Sequence, residues 1–224
     1  GGFDAGMWAY QINELEKSYR VIALSFGLIP EPFRLRAEVL NHILENEGIG
    51  RCTLCGHSYG GILAQYFLSL YPDKVDKIVL VHTFYPSASF ASRIRNKKLR
   101  IIRWIPGFII RKAFQGRMKD VPESGWNAYR KEYLKAIYSG ADRKKLVDFY
   151  STFLASLRKE LPDISRWKGD VLLINSRDDT DTIDRFQELI NTYPGAKTHL
   201  FEKGGHHVPL LFPVEFTGVL KAFI

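Results

Sequence analysis

Along this chain the apolar residues fall into two kinds of pattern that take turns. Short, nearly unbroken runs occupy positions 19–25, 51–55, 77–83, 170–175 and 198–202, bounded by polar, proline or glycine-rich stretches. Runs of that length predict buried strands. Between them apolar residues recur at helical spacing, as Trp8, Ile12 and Leu15 do within 8–17, and again over 35–44, 61–70, 182–192 and 214–223. Pro30 and Pro32 separate the first run from the next helix, and Pro72 with Asp73 closes the helix over 61–70. Strand and helix in alternation predict the α/β class, a mostly parallel sheet flanked by helices.

The alternation stops after position 83. Residues 84–168 carry helical patterns only, interrupted by Pro86, Pro106, Pro122 and Pro162. A helical stretch between two strands predicts an inserted all-helical cap or lid, with 1–83 and 169–224 as the core around it. No internal repeat is visible.

A chain of 224 residues fits one domain with one inserted subdomain. Its 46% apolar and 25% charged residues exclude disorder as a global description. The longest apolar stretches fall far short of a membrane span. Net charge is +8, and the excess is uneven: 77–119 holds no Asp or Glu but includes Arg93, Arg95, Lys97, Lys98, Arg100 and Arg103. Such a stretch is either a solvated helical face or an attractor of anionic partners. Interleaved with Ile101, Ile102, Trp104 and Phe108, the basic cap over 93–119 would pack on the core, cover a lipophilic pocket or touch a membrane surface transiently. No nucleic-acid recognition motif accompanies the charge, so no nucleic-acid partner is expected. Cys52 and Cys55, spaced C-x-x-C, sit three apart on a strand and face opposite ways, which reads as two small core residues and no metal site.

The chemistry-bearing motif is Gly56-His57-Ser58-Tyr59-Gly60, a G-x-S-x-G between a strand and a helix. A serine on so tight a turn has strained backbone angles, and its neighbours two before and two after must be small. A serine hydroxyl needs a base oriented by a third group. The expected order is Ser, then acid, then His. Asp179 follows the strand over 170–175, and His206 follows the strand over 198–202, both at strand ends where open α/β sheets place ligands.

These motifs resemble the α/β-hydrolase family over essentially the whole chain. Positions 174–179 are similar to the family's acid loop, with Ser176 in place of the usual glycine, which selects Asp179 over Asp178. Gly205-His206 followed by Pro209 and Pro213 is similar to its histidine segment, which selects His206 over His207. Ser25 stands where many members carry Asp. Gly1-Gly2-Phe3 resembles the remainder of the H-G-G oxyanion loop without its histidine; the resemblance implies that N-terminal strands precede this start and that the native product is longer. Positions 19–24, 60–65 and 104–108 are similar to maspardin-like members, a branch that resembles a hydrolase lacking the base.

What the resemblance implies is a carboxylic-ester hydrolase with an acyl-enzyme mechanism. Ser58 is its nucleophile, Asp179 its acid and His206 its base. Backbone N–H groups of Tyr59 and of Gly2 or Phe3 form the oxyanion hole, and His57 and His82 stand near the substrate. No cofactor and no metal are implied. The partner is a small-molecule acyl substrate, and the expected location is cytoplasmic. Two alternatives stay open: a non-catalytic binding module of the same fold, and a triad enzyme acting on amide or C–C bonds or transferring acyl groups.

Overall fold

The computed structural model describes residues 4–86, 125–139, 143–159, 162–164 and 167–224. Four strands, β1 (Cys52–His57), β2 (Val75–Val81), β3 (Asp170–Ser176) and β4 (Lys197–Phe201), form a parallel sheet in that order. Around them lie α1 (Ala9–Leu15), α2 (Phe33–Asn46), α3 (Tyr59–Leu70), α4 (Trp126–Ser139), α5 (Arg143–Lys159), α6 (Phe186–Thr192), α7 (Val208–Leu211) and α8 (Pro213–Lys221). Each of the four strands falls on an apolar run of the sequence, and its boundaries differ from that run by no more than two residues.

The two-residue period of the strands sorts side chains onto two faces. Leu54, Ile78, Leu80, Val171 and Leu173 enter the larger core with residues of α2, α3, α5 and α6. Val79, Val81, Leu172, Ile174 and Phe201 face the other way, against Phe216 and Leu220 of α8, with Trp8 and Leu15 beside them. The register places Cys55 beside Val79 and Val79 beside Leu172, so the C-terminal ends of β1, β2 and β3 finish level with one another.

Two expectations are corrected. Residues 21–26 form no strand; they run as irregular chain, held where the Arg20 guanidinium meets Glu47 and where the Ser25 hydroxyl accepts the Ala5 N–H at 3.0 Å. Leu24 and Phe26 pack on the larger core while Tyr19 and Ile22 are exposed. An apolar run signals burial, but a strand also needs a neighbour to take its backbone hydrogen bonds. Cys52 packs against the core and Cys55 does not: β1 is the edge of the described sheet, and Cys55 on its other face is exposed.

Of the stretch assigned to the cap, α4 and α5 are described, and the basic segment over 93–119 lies outside the described residues. The Tyr133 hydroxyl donates to Asp4 Oδ1 at 2.9 Å and that of Tyr129 to the Gly6 carbonyl at 2.9 Å, so α4 clasps the N-terminal stretch. Among the described residues no helix is long and apolar enough to cross a membrane.

One buried charge joins the layers. Arg36 of α2 is 1% exposed, with its guanidinium over the rings of Phe26 at 4.9 Å, Tyr59 at 5.3 Å and Phe149 at 6.0 Å. It donates to the Ile29 carbonyl and lies 3.9 Å from Glu31. The aromatic faces offset part of the desolvation cost of the cation. Filling that space matters more than the charge. Arg36→Ala should therefore lower unfolding stability by about 3 kcal/mol, and Arg36→Met by less than about 1.5 kcal/mol, measured by urea denaturation.

Candidate active site

Ser58 stands at the turn from β1 into α3 with φ 52° and ψ −116°, in the region that favours glycine. The turn needs bare residues at 56 and 61 but not, contrary to expectation, two after the serine, where a Cβ on Gly60 would meet nothing within 4 Å. A Cβ on Gly56 would run into the Gly60 carbonyl, and one on Gly61 would meet the Thr83 side chain at 2.6 Å. The strained backbone is pinned at both ends: the Ser58 N–H donates to the Val81 carbonyl at 2.8 Å, and the Thr83 hydroxyl donates to the Ser58 carbonyl at 2.8 Å. Tyr59 is the first residue of α3, so its N–H has no partner within the helix and points with the helix's positive end.

The two residues expected as partners are brought to this serine. His206 Nε2 lies 2.8 Å from Ser58 Oγ, and His206 Nδ1 lies 3.0 Å from Asp179 Oδ2. Asp179 is 1% exposed at the end of β3 and accepts the Asp181 N–H on Oδ1 at 2.9 Å and the Thr182 hydroxyl on Oδ2. Burial raises its pKa, but hydrogen bonds from His206, His82 and Thr182 outweigh that and hold the carboxyl well below the usual carboxylate range. An ionised carboxylate only accepts, so His206 carries its proton on Nδ1 and turns the Nε2 lone pair to the serine hydroxyl. A hydroxyl so placed can pass its proton to the imidazole as its oxygen attacks.

The histidine loop is braced from below. Asp178 accepts the N–H groups of Gly205 at 2.8 Å and Gly204 at 3.2 Å, and the Ser176 hydroxyl donates to the Gly205 carbonyl at 2.6 Å. His57 Nε2–H donates to the His206 carbonyl at 2.7 Å. The sequence singled out neither Asp178 nor Ser176 for this work. The only signal was the polar run after β3, since their partners lie more than two dozen residues onward.

His57 and His82 are placed otherwise than expected. Both are buried, 8% and 0% exposed, and their bonds run to His206 and Asp179, so neither is open to a substrate. Gly2 and Phe3, expected in the oxyanion hole, lie outside the described residues. A cavity of about 610 Å³ adjoins Asp179 and His206 and is walled by Asn127, Asp181, His207, Leu211 and Phe212 among others. The thiol of Cys52 is pushed up to about 11, first by burial and then by Asp76, which leaves it a poor competitor as a nucleophile.

A family model described as "Alpha/beta hydrolase family" matches residues 1–219. A putative carbamate hydrolase RutD of Stutzerimonas stutzeri is 26% identical over 222 residues, spanning 92% of this chain and 81% of that protein. Human epoxide hydrolase 4 is 30% identical over 90 residues, which is 36% of this chain and 25% of that protein. This chain thus matches about a quarter of the epoxide hydrolase's length. A thermophilic esterase of Thermogutta terrifontis has the same fold, with TM-score 0.76 at 21% identity over 98% of this chain and 84% of that one.

Two buried histidines give the site a pH signature. Burial, reinforced by neighbouring histidines, lowers the pKa of His57, and burial lowers that of His82 against the pull of Asp179. The unfolded chain therefore takes up protons near pH 6.5 that the folded chain refuses. Stability is full above about pH 6.5 and falls as pH drops below it. Urea unfolding between pH 7.5 and 5 should show that slope, and His57→Gln, which keeps a donor for the His206 carbonyl, should make it shallower.

Proposed function

The chain belongs to the alpha/beta hydrolase family, and we propose that it is a serine hydrolase cleaving carboxylic esters through an acyl-enzyme. The observation that carries the reading is the relay in which His206 lies 2.8 Å from Ser58 Oγ and 3.0 Å from Asp179.

In this reading Ser58 Oγ attacks the acyl carbonyl as His206 Nε2 takes its proton. The negative charge that grows on the carbonyl oxygen is met by the Tyr59 N–H at the start of α3; one such donor is worth about 3 kcal/mol of barrier. The resulting imidazolium is stabilised by Asp179 and gives its proton to the departing alcohol. Water then enters, loses a proton to the same nitrogen and attacks the ester of Ser58. The acid departs and Ser58 regains its proton.

A hydroxyl nucleophile argues against carrying over the epoxide chemistry that one relative's name states. Ser58 opening an oxirane would leave an ether with no carbonyl for water to attack, and the enzyme would stop after one event. Carbamates and amides present the same acyl carbon and fall within the proposed mechanism. A module that only binds its partner has no need of a base held against a strained serine.

The test is intact-mass labelling with a fluorophosphonate, which reports an activated serine without a known substrate. One adduct is expected on the wild type and none on Ser58→Ala. His206→Ala should label at least about 10³-fold more slowly. A folded wild type that takes no adduct would overturn the proposal and favour the binding module.

A further inference from the structure

His82 is the residue the mechanism above leaves without work. It sits one residue past β2 with φ 46°, a conformation uncommon outside glycine, and it is fully buried. Its backbone N–H continues the sheet by donating to the Ile174 carbonyl at 2.9 Å, which fixes the side chain over the end of β3. From there Nδ1 reaches Asp179 Oδ2 at 2.8 Å, the same oxygen that His206 Nδ1 approaches at 3.0 Å. Its Nε2 is buried and makes no hydrogen bond. A buried polar nitrogen without a partner carries a cost. The strained backbone and the unpartnered nitrogen accompany the short contact between Nδ1 and Asp179.

We propose that His82 is a positioning residue: its Nδ1–H holds the Asp179 carboxylate in the orientation His206 needs and lowers the basicity that Asp179 lends to His206. This deepens the hydrolase reading and rests on it for its catalytic consequence. The tautomer follows from charge. An ionised Asp179 offers only acceptors, so both histidines approach it as N–H donors, and His82 is neutral with an unprotonated Nε2. Negative charge shared between two imidazoles and the Thr182 hydroxyl attracts an imidazolium at 206 less strongly than the same charge held for His206 alone.

The groups facing this pair come from every neighbouring strand end. His57 lies 5.7 Å from His82 and 4.9 Å from His206, ring to ring, at the end of β1. His207 lies 5.5 Å from His206 in the loop after β4. Asp178 and Asp181 flank Asp179, Asp178 bound to the Gly204 and Gly205 N–H groups, and Tyr150 of α5 faces Asp181. His57 is itself coupled to His82, so the conservative Asn variant, which is also uncharged, serves as the control for that coupling.

Two substitutions separate positioning from space-filling. His82→Asn keeps an N–H donor at the place of Nδ1 and suits the left-handed backbone; His82→Leu fills the space and removes the donor. Fluorophosphonate labelling rates against pH, with thermal melts alongside, are the readout. His82→Leu should label at least about tenfold more slowly, and the acid limb of its profile should move up by about half a pH unit or more, as Asp179 stabilises the His206 imidazolium more strongly. His82→Asn should recover most of the rate and the wild-type limb. A folded His82→Leu with an unmoved limb, or an Asn variant as impaired as the Leu variant, overturns the proposal.

Imidazole ¹⁵N spectra of the wild type test the same point without turnover or mutation. A neutral His82 protonated on Nδ1 at pH 7 is expected, and the Nε2–H tautomer overturns the proposal even where His82→Leu fails to fold. If the wild type takes no adduct, the hydrolase reading fails by itself, and the tautomer still decides whether His82 donates to Asp179.

Discussion

A single buried oxygen, Oδ2 of Asp179, receives the Nδ1–H groups of His82 and His206 and the Thr182 hydroxyl at once. A lone carboxylate in so dry a place would take up a proton; three donors make the charged form the stable one. That charge then dictates everything around it. It fixes the proton of His206 on Nδ1, which frees Nε2 for Ser58, and it requires β2, β3 and β4 to lie side by side so that their ends meet at one point. The parallel sheet is therefore the device that gathers the donors.

How far the sequence discloses this arrangement follows from the range of the forces involved. Strands and helices are legible because burial imposes a period of two or 3.6 on neighbouring residues, and Ser58, Asp179 and His206 are legible because a sharp turn and a strand end leave local marks. What escapes is whatever depends on a distant partner. The run at 19–25 advertises burial but cannot show which strand would pair with it. Cys55 looks like core, yet among the described residues no element covers its side of β1. Arg36 occupies a helix position that any surface arginine would fill, and only the meeting of Phe26, Tyr59 and Phe149 encloses it. Asp178 and Ser176 read as turn residues because the glycines they hold lie beyond another strand and helix.

Strain follows the same geography. Among the described residues Ser58 and His82 are the non-glycine positions with positive φ, and both aim side chains at the relay. Conformations of this kind cost on the order of 1–3 kcal/mol each and persist only where surrounding structure over-determines them. Here it does: each residue's N–H is tied to a carbonyl of the next strand, Ser58 to Val81 and His82 to Ile174. The ladder that stabilises the sheet also holds the two awkward side chains in register.

The Ser58–His206 bond joins residues 148 apart in the chain, with Asp179 another 27 from the histidine. Contacts between such distant segments form only after most of the sheet is in place, since every intervening loop must first be closed. During synthesis and folding the serine is consequently a bare alcohol with no base beside it, chemically idle toward acyl groups in its surroundings. Under the acyl-enzyme mechanism proposed above, reactivity would then arise only as the last strands dock, and the newborn chain would be spared acylating itself before its site exists.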